Sequence, residues 1–554
     1  MRLDFLFSRK QRGDTRALEA ILHQEAKSHN LVSQVLLTPV QYHFIVQGSE
    51  ESLLKFSQSI ALALPISLFF TFECVEKLED SAESLAAPHD EIPTRAEMEF
   101  TPAQMSAYLQ SIKESCYAPK LPCDLHFTLA GESVDSLELY DAFRALALAI
   151  KEGESVELDS RLGRIILARE VSKLPHICQN ELYFMPLDVA NVETIFRVTK
   201  EELEILATWE KPCVKLAFKG IFAEQFAPFL RAQASVNVRL PYDVPLVILA
   251  HFLALLEVEM VVFAPFFTQS EAQEGKEKRV KTYAMDYPVH APLLPLFACV
   301  TPRVVVLGRQ GEQPAGSYAE LLERLCAEYS LQNTLALHVS EHNPTQFWLL
   351  KEGETRRVMN FACELNPALI FEQIAQSDER AQRLVENFSA QFPEIVQRIK
   401  SASPKQNSGN LSDWIAMAGF FSALGGEFDL PALHEAVLRG AQGFLGSKGP
   451  RIDFVLRRGE SGNIELDYLR VLRSCMSFKL AGIDDETLSF GIIDSYAEFF
   501  GKLIGDMSEN FALHSVVLSG SMMIQKPFLS RLVSYIPSPI ALATPFLSPL
   551  EFRA

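Results

Sequence analysis

Few groups in this chain have residue types and spacing that could do chemistry. His338-Val-Ser-Glu341-His342 fits the H-x-x-E-H string of some zinc proteases, which needs a helix to bring both imidazoles onto one face. These residues instead end an alternating strand and run into Asn343-Pro344, so a strand edge or loop is expected. Ser519-Gly520-Ser521 follows an apolar strand and precedes a helix, where backbone N–H groups could cradle a phosphate. A plain strand-to-helix turn accounts for the same residues. Arg9, Lys10, Arg12 and Arg16 gather after the first strand and could hold an anion, or form a solvated basic turn. Cys116, Cys123 and His126 have six residues between the cysteines, too many for a zinc knuckle, and buried or incidental thiols are expected. His251 sits in an apolar run and reads as a hydrogen-bonded core histidine rather than a general base. No G-x-x-x-x-G-K-[ST], G-x-G-x-x-G or G-x-S-x-G occurs, which sets aside P-loop NTPases, ordinary dinucleotide folds and α/β-hydrolases. The residues alone establish no catalysis.

The elements that must position these groups are read from hydrophobic periodicity. Residues 1–80 open with the alternating Leu3-Phe5-Phe7, then a helix over 14–29 and strands at 34–37 and 42–47. A helix from Glu50 comes next, with Leu53, Leu54, Phe56 and Ile60 inward, and a strand near 68–72. That β-α-β-β-α-β order is ferredoxin-like. Residues 81–99, with Pro88 and Pro93, read as a linker. Over 100–268 the pattern is mixed α/β. Leu139, Phe143, Leu146 and Ile150 form a helical stripe that stops at Gly153, and Thr199 with Glu202 makes a capping box. Val214, Leu216 and Phe218 alternate with lysines as a strand, 245–256 reads as a buried helix, and 260–263 as a core strand. A second linker spans 269–299. The last region, 300–554, starts with strands at 304–307, 334–339, 347–350 and 357–361. Helices are expected next at about 367–399, 411–424, 430–440, 464–480 and 485–508, then a strand at 514–518 and a helix ending near 532.

Composition bounds the function classes. A length of 554 residues argues for roughly three or four domains. With 51 Lys+Arg against 70 Asp+Glu, the net charge of −19 repels phosphate backbones and anionic lipid, so no nucleic-acid partner is expected. The most apolar stretch, 244–267, is interrupted by His251, Glu257 and Glu259 and falls short of the ~20 residues of a bilayer span. No membrane insertion is expected. Nine scattered cysteines read as reduced thiols, and Met-Arg-Leu-Asp-Phe lacks the apolar core of a signal peptide, so a cytoplasmic location is expected.

Several stretches, in chain order, resemble the HypF family, the carbamoyltransferases that help build the cyanide ligands of nickel-iron hydrogenases. Tyr42-His-Phe-Ile-Val-Gln-Gly-Ser49, with Leu53, Leu54 and Phe56, is similar to the second half of its acylphosphatase domain. Residues 145–167, with Lys151-Glu-Gly153 and Leu162-Gly163, resemble the opening of its YrdC-like domain. Phe184-Met185-Pro186, residues 199–206 and Lys211-Pro-Cys-Val-Lys-Leu216 match the next region of that domain, and Leu240-Pro241-Tyr242 with Pro245 and Leu246 its Leu-Pro-Tyr-x-Pro-Leu signature. Ser408-Gly409-Asn410-Leu411-Ser412-Asp413 resembles the family's Gly-Arg-Leu-Phe-Asp turn, and Val516-Val-Leu-Ser-Gly-Ser521 its Leu-Ser-Gly-Gly nucleotide loop. The resemblance implies an α/β multidomain (α+β) fold with a ferredoxin-like acylphosphatase-type domain, a YrdC-like α/β domain and a Kae-type actin-like (ASKHA) domain.

The sequence departs from the family where chemistry would be done. Arg9-Lys-Gln-Arg-Gly13 replaces the acylphosphatase anion loop, with the partner Asn position near Thr38, and the paired four-cysteine zinc modules are missing. Ser160-Arg-Leu-Gly-Arg164 stands for Lys-Gly-x-Gly-Gly, Phe263-Ala-Pro-Phe266 for Thr-Ser-Gly-Asn, and the metal-binding histidines before Ser408 have no counterpart. Losing anion donors and metal ligands together removes the electrostatic stabilisation that phosphoryl and carbamoyl transfer needs. The resemblance therefore implies an accessory factor in nickel-iron hydrogenase maturation, binding the hydrogenase large subunit or another assembly protein, with no catalytic residue or metal ligand assigned. The alternative is an ATP-dependent carbamoyl- or acyl-transferase with a divergent site. In it Gly409 and Asp413 would lie near the ribose, Ser519, Gly520 and Ser521 near phosphate, and Arg9 and Arg12 near an anion. A third reading, tRNA modification, is disfavoured by the charge.

Overall fold

Leu3, Phe5 and Phe7 share one face of an extended segment, and the hydrophobic effect folds the first 78 residues around that face. The computed structural model describes residues 1–10, 15–38, 40–78, 102–114, 127–129, 132–134, 139–175, 182–226, 235–265, 283–286, 296–309, 317–359, 361–458 and 464–544. The N-terminal elements are β1 (Arg2–Arg9), α1 (Arg16–Ser28), β2 (Val32–Leu37), β3 (Gln41–Gln47), α2 (Glu50–Ala63) and β4 (Phe70–Leu78). They form a 4-stranded sheet of order β2-β3-β1-β4, antiparallel throughout, which is the split-βαβ arrangement the pattern predicts. Ser49 caps α2 by accepting the Ser52 N–H, and Phe56 meets Phe5 edge-on at 5.2 Å. Leu54, expected inward, is 59% exposed, because the buried stripe of α2 runs through Leu53, Phe56 and Ile60. β4 begins later and runs longer than 68–72; Leu68 and Phe69 are buried in the approach to it.

Contacts divide the chain into two compact units: Met1–Leu216 with Asn237–Pro295, and Ala217–Val236 with Leu296–Ala554. In the first unit a hairpin of Val156–Ser160 and Gly163–Ala168 pairs with Met260–Pro265, which pairs in turn with Tyr183–Pro186. The helices Leu139–Lys151 and Val244–Leu255 pack together, with Tyr140 edge-on to Phe252 at 5.0 Å. Gly153 ends the first of these with φ +89°, and the Thr199–Glu202 capping box opens the helix Lys200–Ala207 as expected. The turn after that helix is fastened to the N-terminal elements. Trp209 donates its N–H to Ile66 O at 2.7 Å, and the Glu210 carboxylate accepts from the Leu68 N–H at 2.9 Å and the Ser67 hydroxyl.

The second unit carries a 5-stranded sheet in the order Glu354–Met359, Gln346–Lys351, Thr334–His338, Ser515–Ser519, Ala541–Ala543. The first three strands are antiparallel, and the last two run parallel to Thr334–His338. The span expected as one helix over 367–399 is three: Pro367–Ser377, Glu379–Gln391 and Pro393–Ser401. Asp378 caps the second by accepting the Ala381 N–H at 2.8 Å, and Pro393 cannot continue the turn before it. Ile464–Leu466 is a strand, and its helix starts only at Tyr468, after the cap Asp467. Helix Asp485–Phe511 forms the spine against which Leu430–Gly443 and Lys526–Tyr535 pack.

Candidate functional site

Three segments of the second unit converge at the carboxyl end of its central strand: residues 338–345, the turn 408–413, and Ser519-Gly520-Ser521. The strands Thr334–His338 and Ser515–Ser519 lie in parallel register, with His338 opposite Ser519, so both loops leave the sheet at the same edge. In an open α/β sheet this is where ligands are commonly held. Here the loops are held to each other. Val339 N–H donates to Ser519 O and Met522 N–H to Val339 O, each at 3.0 Å. Ser521 Oγ accepts the Glu341 N–H at 2.7 Å, and Gln525 Nε2 donates to the Glu341 carboxylate. Gly520 has φ +104°, and a Cβ added there would lie 2.1 Å from Val339 O, so only glycine fits against the neighbouring strand end.

The turn 408–413 joins the same network. Gly409 O accepts the Thr345 N–H at 2.9 Å, and a Cβ on Gly409 would come within 2.8 Å of Phe361 O. Asn410 caps helix Leu411–Phe421 through the Ser412 N–H and donates from Nδ2 to Glu341 O at 2.7 Å. Asp413 is half-buried and hydrogen-bonded by Ser408; burial holds its carboxyl above the usual range. Ser519 Oγ lies 3.0 Å from His338 Nδ1 and 3.2 Å from the Tyr318 hydroxyl, all three groups being buried or nearly so. Burial lowers the His338 pKa to about 3, so the imidazole is neutral at physiological pH. The structure thus gathers Gly409, Asp413, Ser519, Gly520 and Ser521 into one place. Sequence reasoning missed their partners Tyr318 and Gln525, and it named Glu341 only within the H-x-x-E-H string and Asn410 only within the 408–413 turn, without assigning either to this cluster.

No family model matches the sequence. Protein HydE of Wolinella succinogenes is 44% identical over 560 residues, covering 100% of both chains. The chain belongs to the HydE family. Its fold is similar to that of full-length HypF solved in the phosphate- and nucleotide-bound form, with a TM-score of 0.58 over 98% of this chain and 95% of that one. T. kodakarensis HypF gives a TM-score of 0.60 over the same shares, and sequence identity to either structure is 12%. The likeness is one of fold: acylphosphatase-type, YrdC-like and Kae-type modules in a multidomain α+β chain.

Elsewhere in this HydE-family chain the other candidate residues lie apart from that cluster. Arg9 N–H donates to Val40 O and Lys10 N–H to Phe69 O, both at 2.7 Å, which fixes the end of β1; Arg12, Cys116, Cys123 and His126 lie outside the described residues. Thr38 closes a turn, its hydroxyl accepting the Gln41 N–H at 2.8 Å. His338 ends a strand and His342 lies in a bend beyond it, the non-helical placement expected for the H-x-x-E-H string. His251 is half-buried on helix Val244–Leu255, 5.8 Å from the Phe252 ring. Among the described residues no group of three or more His, Cys, Asp or Glu side chains could hold a metal ion, and no helix is long and apolar enough to cross a membrane.

Proposed function

We propose that the chain is an accessory factor in nickel-iron hydrogenase maturation that uses a HypF-like scaffold to bind a hydrogenase subunit or assembly protein, with the transfer chemistry of that scaffold largely lost. The observation that carries this reading is the closed junction at residues 519–521. A phosphate cradle needs outward-facing N–H donors, whereas here the Met522 N–H donates to Val339 O and the Met523 N–H to Gly520 O, and the Ser519 and Ser521 hydroxyls are buried against His338, Tyr318 and Glu341. Membership of the HydE family and the HypF fold support the maturation role. Deleting the gene should abolish hydrogenase activity, while purified protein given carbamoyl phosphate and ATP shows no turnover. Robust turnover refutes the non-catalytic part, and unchanged hydrogenase activity refutes the role.

A second reading, an ATP-dependent carbamoyl- or acyl-transferase with a divergent site, is favoured by the convergence of Gly409 and Asp413 with the 519–521 loop. Calorimetric titration with ATP separates the two readings. Gly520→Asp is a poor control, since any side chain there meets Val339 O; Asp413→Asn, isosteric and half-buried, is the better one.

A further inference from the structure

In the first unit a cavity of about 570 Å³, within the range that takes a small organic ligand, opens beside the α2–β4 connection. Its walls are chiefly apolar: Ile66, Leu109 of helix Pro102–Glu114, Trp209, Tyr242 and Val247. Two cationic residues, Arg161 and Lys211, and one acid, Asp243, complete it. The acid is spent on backbone: Asp243 Oδ1 accepts the Leu246 N–H and Oδ2 the Arg161 N–H, each at 3.1 Å. Glu210, next to Lys211, is likewise engaged with Leu68 and Ser67.

Lys211 keeps donor capacity of its own, although the charge of Glu210 also acts on it. Lys211 Nζ donates to Ala207 O at 2.9 Å, which uses one of its three N–H groups. Its backbone takes the left-handed φ of +44°, a conformation glycine adopts more readily, and burial lowers its ammonium pKa to about 8. Arg239 is 1% exposed, stands 4.4 Å from the centroid of the cavity-lining Tyr242 ring, and has no hydrogen-bond partner at Nε or Nη2. The Asp243 carboxylate acts on this guanidinium without hydrogen-bonding Nε or Nη2, and donors left over in low-dielectric surroundings attract a nearby anion more strongly than they would in water.

We propose that this cavity binds an organic anion, a carboxylate or phosphate ester whose charged head meets Lys211 and whose apolar body lies along Trp209 and Tyr242. The inference is independent of the hydrogenase reading. The test titrates the full chain with 8-anilinonaphthalene-1-sulfonate, an apolar ring system bearing one anion, and tracks both directly excited emission and energy transfer from tryptophan. One saturable site is expected. Lys211→Met should weaken it about tenfold while Lys211→Arg retains it, consistent with the strength of a charge-assisted contact. Trp209→Phe should remove most of the energy transfer while leaving directly excited binding, which locates the probe even if a cavity-filling Val247→Phe variant fails to fold. Hexanoate or hexyl phosphate should displace the probe at concentrations where hexanol and inorganic phosphate do not, and the stronger of the two anions names the head group. Unchanged affinity in Lys211→Met, full energy transfer in Trp209→Phe, or displacement by hexanol equal to that by hexanoate overturns the proposal.

Discussion

His338 shows how one buried residue ties pH to stability. In the folded chain its imidazole is enclosed beside Ser519 with its pKa lowered to about 3, whereas an exposed histidine titrates near 6.5. The unfolded chain therefore binds the extra proton first as pH falls. The stabilisation from burying the neutral ring is fully present above about pH 6.5 and is lost progressively as pH falls toward 3, at no more than about 1.4 kcal/mol per pH unit. Denaturant unfolding of the full chain between pH 7.5 and 5 should show this slope, and His338→Gln should reduce it. A slope unchanged by the substitution would assign the effect to other groups, of which His23, also lowered by burial, is the first to test.

At the level of elements, Glu210 is the side chain that fastens the approach to β4 onto the turn after helix Lys200–Ala207. Its carboxylate serves two donors at once, and burial holds its pKa above the usual range, so removing it strands a backbone N–H and a hydroxyl. Glu210→Ala should cost about 1–3 kcal/mol in thermal or denaturant unfolding and Glu210→Gln less, because the amide keeps one acceptor. Equal stability of all three proteins would mean that water replaces these bonds without loss. Nothing in the sequence marks Glu210, because its partners are well over a hundred residues away and a lone glutamate after a helix has no local signature. By contrast, the ferredoxin-like order and the Thr199 capping box were legible, since alternation and capping are set by neighbours in the chain. The single helix expected over 367–399 failed for a related reason. Apolar periodicity continues across Asp378 and Pro393, and only the cap and the missing N–H divide it.

For the whole molecule, the candidate site and the scaffold make opposite demands on the same residue. Position was legible at Gly409, Asp413 and residues 519–521 because the resemblance named those turns, but their state was not. Whether a loop faces solvent or the neighbouring strand depends on contacts such as Glu341 with Ser521, which join residues 180 apart in sequence. If the chain transfers a carbamoyl or acyl group through bound ATP, Asp413 lies among the few polar groups available at that edge, and neutralising it should impair function in vivo. If the chain acts as a binding scaffold, Asp413→Asn preserves the shape and the hydrogen bond from Ser408 and leaves function intact. In a deletion strain, we expect plasmid-borne Asp413→Asn to restore hydrogenase activity to the wild-type level, at equal expression and thermal stability. Restoration below about a tenth of that level, with the variant folded, would move the assignment to the enzymatic reading, because a lost charge at an otherwise unchanged surface has no other route to so large an effect.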